Sequence, residues 1–215
     1  MKIKLDLSVF LFLFLFYITN QIELYLLIMI FAFIHEFAHT ICGILLGFKP
    51  NILRINPFGF IIEFNPNVEE YNMKFLKSNR LAIKEILIAL AGPISNLIII
   101  ILGIKLNFNI NIIYTNLLIF IFNLIPMYPL DGGRVLNNTL KLLLGNVTAM
   151  KYTYKISNAL IIVLTILASI LIYVCRNISI LIIIVVLWMI VVKENKRYNT
   201  YKKIYKVIDK NYNYL

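Results

Sequence analysis

The two histidines of this 215-residue chain stand four positions apart with a glutamate between them, in the run His35-Glu36-Phe37-Ala38-His39. On an α-helix, positions i and i+4 lie one above the other, so both imidazoles can converge on a single tetrahedral Zn²⁺. Glu36 is rotated one position round the helix, where its carboxylate can reach an attacking water rather than the ion. The chemistry that suits this arrangement is hydrolysis. With two histidines and seven glutamates in the whole chain, chance placement would produce such a run in roughly one sequence in a thousand or fewer. A single histidine on an apolar face is more often a satisfied core residue, but two at ligand spacing around a glutamate are not that case.

The elements that must position these residues are apolar. The chain is 61% hydrophobic with a mean hydropathy of +0.86, and several segments approach or exceed the ~18 apolar residues that mark a membrane-crossing helix. The expected fold is an all-α polytopic membrane protein with about six transmembrane helices. The six segments are Leu7 to Ile18, Leu24 to Gly47, Leu81 to Gly103, Ile112 to Met127, Ile156 to Val174 and Ile178 to Val192. The first is short and sits behind Met1-Lys2-Ile3-Lys4, but no small-residue cleavage site follows it, so an uncleaved helix is expected rather than a signal peptide. A net charge of +11 could indicate a nucleic-acid binder. With the N-terminus in the cytoplasm, however, 19 of the 21 Lys and Arg residues fall on the cytoplasmic side, and only Lys105 and Arg176 lie outside. That is the positive-inside pattern of a membrane protein, and it excludes nucleic acid as the partner the charge implies. Both termini are then cytoplasmic, with the protein in the cell membrane.

Residues 1–192 form the membrane domain in this reading, and 193–215 a basic tail with Tyr201, Ile204, Tyr205 and Ile208 at the spacing of an amphipathic helix on the membrane surface. After the second segment, Ile52 to Phe64 holds two β-prone runs flanking Pro57 and Gly59, which predicts a small membrane-associated hairpin. Such a hairpin can offer an edge to an extended peptide, or simply pack on the helices. Cys42 and Cys175 lie in different apolar segments without ligand spacing and read as small buried hydrophobes.

Catalytic zinc takes three protein ligands, and without a third histidine the remaining one must be a carboxylate or a cysteine. The fourth segment ends in Asn123-Leu124-Ile125-Pro126-Met127-Tyr128-Pro129-Leu130-Asp131-Gly132-Gly133. Its prolines and paired glycines predict a broken helix, which membrane depth tolerates only where the backbone faces protein or a wet cavity. Glu23 belongs to the outer face, Glu63, Glu69 and Glu70 to the loop, and Glu85 to the start of the third segment. Asp131 lies at the break, at the inner end of a segment that runs inward like the one carrying His35, roughly 15 to 20 Å below its outer end. Asp131 is the expected third ligand. A carboxylate at membrane depth costs about 2.5 to 3.5 kcal/mol on the mildest scale, so metal or function has to offset it.

Taken together, His35 to His39 and Asn123 to Gly133 resemble the H-E-x-x-H helix and the N-x-x-P-x-x-P-L-D-G-G segment of the site-2 protease family of intramembrane metalloproteases. Between them, Ala91-Gly92-Pro93-Ile94-Ser95-Asn96 is similar to that family's A-G-P-x-x-N run. Pro57-Phe58-Gly59 followed by Glu63 resembles the post-helix loop of the stage IV sporulation protein FB branch, which processes an inactive sigma-factor precursor. The resemblance implies that His35, His39 and Asp131 hold one zinc ion and that Glu36 is the general base. Asn123 stands where the family has an asparagine near the substrate. That position would orient the scissile carbonyl or its oxyanion, or else serve only as a capping or helix-helix hydrogen bond. Asn96 reads as a packing residue. Sporulation-branch members commonly carry a CBS domain after the last helix, whereas about two dozen residues follow Val192 here. The expected form therefore lacks that domain, and equally the PDZ domains of another branch.

The expected function is hydrolysis of a peptide bond in a membrane-associated or transmembrane substrate, a sporulation sigma-factor precursor among the candidates, with release of a cytoplasmic product. The bilayer, the substrate and a membrane regulatory protein are the expected partners. Two rival classes use the same residues: an intramembrane metal transporter, in which they relay an ion, and a non-catalytic metal-binding scaffold.

Overall fold

In a chain this apolar, a helix can face lipid on any side, so what distinguishes its protein-facing side is small size and polarity rather than hydrophobicity. The computed structural model describes residues 2–18, 20–56, 59–64, 75–128 and 130–175, with scattered positions from 185 to 200. It divides into two compact units, Met1–Ile125 and Pro126–Leu215.

The first unit contains strand β1 (Lys2–Leu5), helix α1 (Ser8–Ile18), helix α2 (Ile22–Leu45), strands β2 (Pro50–Asn56) and β3 (Gly59–Phe64), helix α3 (Phe75–Lys105) and helix α4 (Ile110–Leu124). Helix α2 packs against both α3 and α4, and α3 packs against α4. On α2, Leu26, Ile30, Phe33, Phe37 and Ile41 are exposed, while Tyr25, His35, His39, Thr40 and Gly43 are buried. The inward stripe of α3 carries the small residues Ala82, Ala89 and Gly92 with Pro93 and Asn96, beside Ile88 and Ile100. Small residues on that stripe let the α2 and α3 backbones approach, and most of the large aliphatic residues of α3, among them Leu87, Ile94, Ile98 and Ile101, are turned outward, as lipid solvation allows.

Three described helical stretches are long and apolar enough to cross a membrane: Ile22–Leu45, Asn79–Lys105 and Asn146–Val174. At ~1.5 Å per residue, the 24 residues of α2 reach roughly 36 Å, beyond the ~30 Å hydrocarbon core. The first and fourth expected spans come out as shorter helices. Helix α1 has 11 residues and α4 has 15, ending at Leu124 rather than Met127, both under the ~17 that a crossing needs.

The structure is mostly helical, with one small sheet formed by strands before and after the first two helices. Its sheet runs in the order β1-β2-β3. Strand β2 pairs antiparallel with β3 from Pro50↔Phe64 to Asn56↔Gly59, while Pro57 and Phe58 lie outside the described residues. Strand β1 pairs parallel with β2 from Lys2↔Ile52 to Leu5↔Ile55, a strand the sequence reading did not contain. Four residues of Lys-Ile-Lys-Leu are too few for a periodicity to register; it is the partner strand that makes them β. The sheet is anchored on α2, where the Phe64 ring packs over Gly43 and lies 5.9 Å from the Phe48 ring. Lys84 of α3 sits 5.6 Å above Phe48, a cation–π contact that joins this corner to α3. Cys42, expected to be buried, is partly exposed.

The second unit contains helix α5 (Asp131–Leu144) and helix α6 (Asn146–Cys175), joined through Gly145 at φ +80°. The expected break occupies a shorter stretch than Pro126 to Gly133, because the helix resumes at Asp131 and both glycines lie in its first turn. Helix α6 begins ten residues before Ile156: Thr148 and Thr153 bond to the carbonyls of Leu144 and Ala149, and the polar turns continue into the apolar ones without a break. Three side-chain contacts run along α6 in reverse order: Trp188 to Thr165 at 3.0 Å, Asn195 to Asn158 at 3.0 Å, and Tyr198 stacked on Tyr154 at 4.5 Å. The described positions between 185 and 200 therefore lie antiparallel to α6. The rest of the expected sixth span and of the tail lies outside the described residues.

Gly133 is packed against backbone. A Cβ there would meet the carbonyl group of Met127 and the amide nitrogen of Tyr128, and Met127 is fully buried. Gly133→Ala should therefore destabilise the detergent-solubilised protein by about 1–3 kcal/mol, as overpacking does, despite alanine's better helix propensity. An unchanged midpoint in thermal unfolding would refute this packing account.

Candidate metal centre

Helix α2 carries His35 and His39 on its buried face, one turn apart, with their ring centroids 4.7 Å apart and the planes nearly perpendicular. Each ring is held by its outward nitrogen. His35 Nδ1 hydrogen-bonds to Asn96 Oδ1 on α3. His39 Nδ1 donates to the backbone carbonyl of Ile88, also on α3, at 2.6 Å.

These bonds decide what the inner nitrogens can do. A neutral imidazole has one donor and one acceptor nitrogen, so a ring that donates through Nδ1 offers a lone pair at Nε2. The Nε2 atoms of His35 and His39 face each other at 3.1 Å, which brings two lone pairs to one point. Two acceptors cannot bond to each other, but a cation between them would satisfy both. Zinc bound by imidazole is the natural occupant, since metal-ligating histidines donate their second nitrogen to a carbonyl or carboxyl oxygen in this way.

Gly92 of α3 keeps this point open. A Cβ at position 92 would collide with His39 Nε2 and stand 2.6 Å from His35 Nε2, filling the space where the lone pairs converge. Glu36 is partly buried on α2 beside the pair, and its backbone carbonyl accepts from Thr40 Oγ1 at 2.9 Å. Asn123, next to last in α4, donates its amide Nδ2 to Ile119 O at 3.1 Å within its own helix.

In the second unit, Asp131 is the first residue of α5, and its side chain is buried. Its Oδ1 lies 3.8 Å from Arg134 Nη1, and the positive end of the helix dipole favours a carboxylate at this position. The segment leading to it is held by Ser157 of α6, whose Oγ accepts from Tyr128 N at 3.0 Å, and by a tight turn from Leu130 N to Met127 O at 2.9 Å.

The sequence model of Peptidase family M50 matches residues 105–167, a stretch that includes Asn123 and Asp131 but not the histidine helix. A curated relative, a zinc metalloprotease of Methanocaldococcus jannaschii, is 27% identical over 152 residues, or 66% of this chain. The chain spans 41% of that relative's length. The solved site-2 protease from Methanocaldococcus jannaschii shares the fold with a TM-score of 0.64 at 23% identity, covering 89% of each chain. Together the matches support the Peptidase M50, site-2 protease, family. Members of this family are membrane proteins, which the apolar helices of this chain fit.

Three contributors were not identified as such from sequence. Gly92 and Asn96 lie inside a recognised run but read only as packing residues, and the Ile88 carbonyl has no sequence signature at all. The available signal for Asn96 was an amide in the middle of an apolar helix, which must find partners there. Gly92→Ala should remove zinc from the protein while leaving its helix content intact, because alanine is the better helix former by about 1 kcal/mol. Metal analysis alongside circular dichroism tests this; a Gly92→Ala protein with the wild-type zinc content would refute it.

Proposed function

We propose that the protein is an intramembrane zinc endopeptidase that cuts a membrane-associated or transmembrane protein. In this reading His35, His39 and Asp131 hold one zinc ion and Glu36 is the general base. The observation that carries it is the imidazole pair, with Nδ1 atoms bonded outward and Nε2 atoms 3.1 Å apart. Asp131 is proposed as third ligand because the chain has no third histidine, and because it falls in the stretch matched by the M50 model.

Zinc, when bound, polarises the scissile carbonyl and lowers the pKa of water toward neutrality. Glu36 accepts one proton of the attacking water as the new C–O bond forms and delivers it to the amide nitrogen as the C–N bond breaks; the water's second proton follows to the amine, leaving a carboxylate and an ammonium. Asn123 is proposed to orient the scissile carbonyl through its amide. A transmembrane helix has its carbonyls tied into its own ladder, so the substrate must unwind before attack. Strand β3 is one of the two edge strands of the sheet, and among the described residues no further strand pairs with its outer side. An extended substrate segment adding to that edge would stay unwound. The positive-inside distribution orients α2 inward, with His35 and His39 toward its inner half, and this supports release of a cytoplasmic product. The family and structural matches do not support the sporulation sigma-factor precursor as substrate; the proposed substrates are membrane proteins as a class.

Glu36→Gln should keep its zinc and cleave a co-expressed membrane substrate about 10²- to 10⁴-fold more slowly. Wild-type cleavage by that variant would end the protease reading, and metal transport surviving the substitution would favour a transporter. Asp131→Ala should fail to retain zinc through purification; stoichiometric tightly bound zinc in that variant would remove Asp131 from the ligand set.

A further inference from the structure

A chain of hydrogen bonds acquires a direction when one end is a group that can only accept. Such a chain lies behind His35. The backbone carbonyl of Ile112 accepts from Asn116 Nδ2 at 2.9 Å. Asn116 must then turn its Oδ1 the other way, where it accepts from Asn96 Nδ2 at 2.9 Å. Asn96 in turn presents Oδ1 to His35 Nδ1, and that nitrogen must carry the proton. The relay crosses α4, α3 and α2, and both amides are 0% exposed, so no solvent competes to reverse either one.

We propose that Asn116 is a positioning residue for the metal centre. It fixes the amide orientation of Asn96, and through it the Nδ1–H tautomer and ring orientation of His35. The inference rests on the zinc reading given above. Asn116 belongs to none of the three motifs. A packing role alone would explain an Asn96–Asn116 bond in either amide orientation; it would not require that the chain begin on an acceptor-only carbonyl and end on an imidazole whose other nitrogen faces a second ligand. His39 reaches the same tautomer by a shorter route, since the Ile88 carbonyl bonded to its Nδ1 is itself acceptor-only. Without Asn116, the Asn96 amide can turn over and offer Nδ2 to His35. That favours the Nε2–H tautomer, which has no lone pair at the metal position.

The test uses the full-length protein in detergent, with Asn116→Leu, Asn116→Ser and Thr115→Val. Thr115 is a buried neighbour on the same helix, and its Oγ1 has no hydrogen-bond partner among the described residues. Zinc affinity by chelator competition, the visible spectrum of the Co²⁺-substituted protein and the imidazole ¹⁵N shifts of the metal-free protein are read together. Asn116→Leu should weaken zinc binding about 10- to 100-fold, the usual effect of losing a ligand's supporting hydrogen bond. It should also alter the cobalt spectrum and give mixed His35 tautomers. Asn116→Ser, too short to hold the Asn96 amide, should show the same tautomer mixing, and it decides the matter where the leucine variant does not fold. Thr115→Val should behave as wild type. Wild-type zinc affinity and a single Nδ1–H tautomer in a folded Asn116 variant would overturn the proposal. If the wild-type protein itself binds no zinc, the metal reading fails, while the tautomer shifts still judge Asn116.

Discussion

The Nε2 atoms of His35 and His39 lie 3.1 Å from each other, and with both neutral rings protonated at Nδ1 this is a meeting of two acceptors, a contact that no folded chain gains from by itself. Like acceptors repel, and in a low-dielectric interior that repulsion is weakly screened. The contact persists because each ring is tied from behind, one to a side-chain amide and one to a backbone carbonyl. Everything near the pair serves this arrangement. Helix α3 supplies both tethers and, at Gly92, the missing side chain that leaves the convergence point open.

The same arrangement explains why polar residues lie inside the first unit and large apolar ones outside. An unpaired amide in hydrocarbon costs several kcal/mol, so Asn96 and Asn116 are tolerable at 0% exposure because each is bonded to the next along a continuous chain. Small residues on α3 let the helices approach closely enough for those bonds to form. Outward-facing residues such as Phe33, Phe37 and Ile41 need no partner in lipid. Packing and chemistry are thus met by the same stripe of α3: Ala89, Gly92, Pro93 and Asn96.

Much of this was legible from the chain because the decisive relations are local. The spacing of His35 and His39 puts them on one face of any α-helix, whatever surrounds it. Apolar runs of more than 20 residues declare long helices, and prolines around 126–129 end one. What was not legible depended on distant partners. Strand β1 is four residues long and becomes a strand by pairing with residues about 50 positions away. Helix α6 begins in a polar stretch whose helicity no hydrophobic run announces. Asn123, read either as a substrate contact or as a capping or helix-helix hydrogen bond, donates to the Ile119 carbonyl within its own helix, a bond that spacing alone does not announce.

The sequence by itself determined which atoms are available: two imidazoles in ligand register, a carboxylate beside them, an aspartate beyond a helix break, and enough hydrophobicity to put helices in lipid. Only the tertiary structure decided which nitrogen of each imidazole points inward. That choice is made by partners 61 and 49 residues away in the chain, on a helix whose approach depends on a glycine. An imidazole has two nearly equivalent tautomers, and nothing within its own helix distinguishes them; the acceptor placed against Nδ1 does.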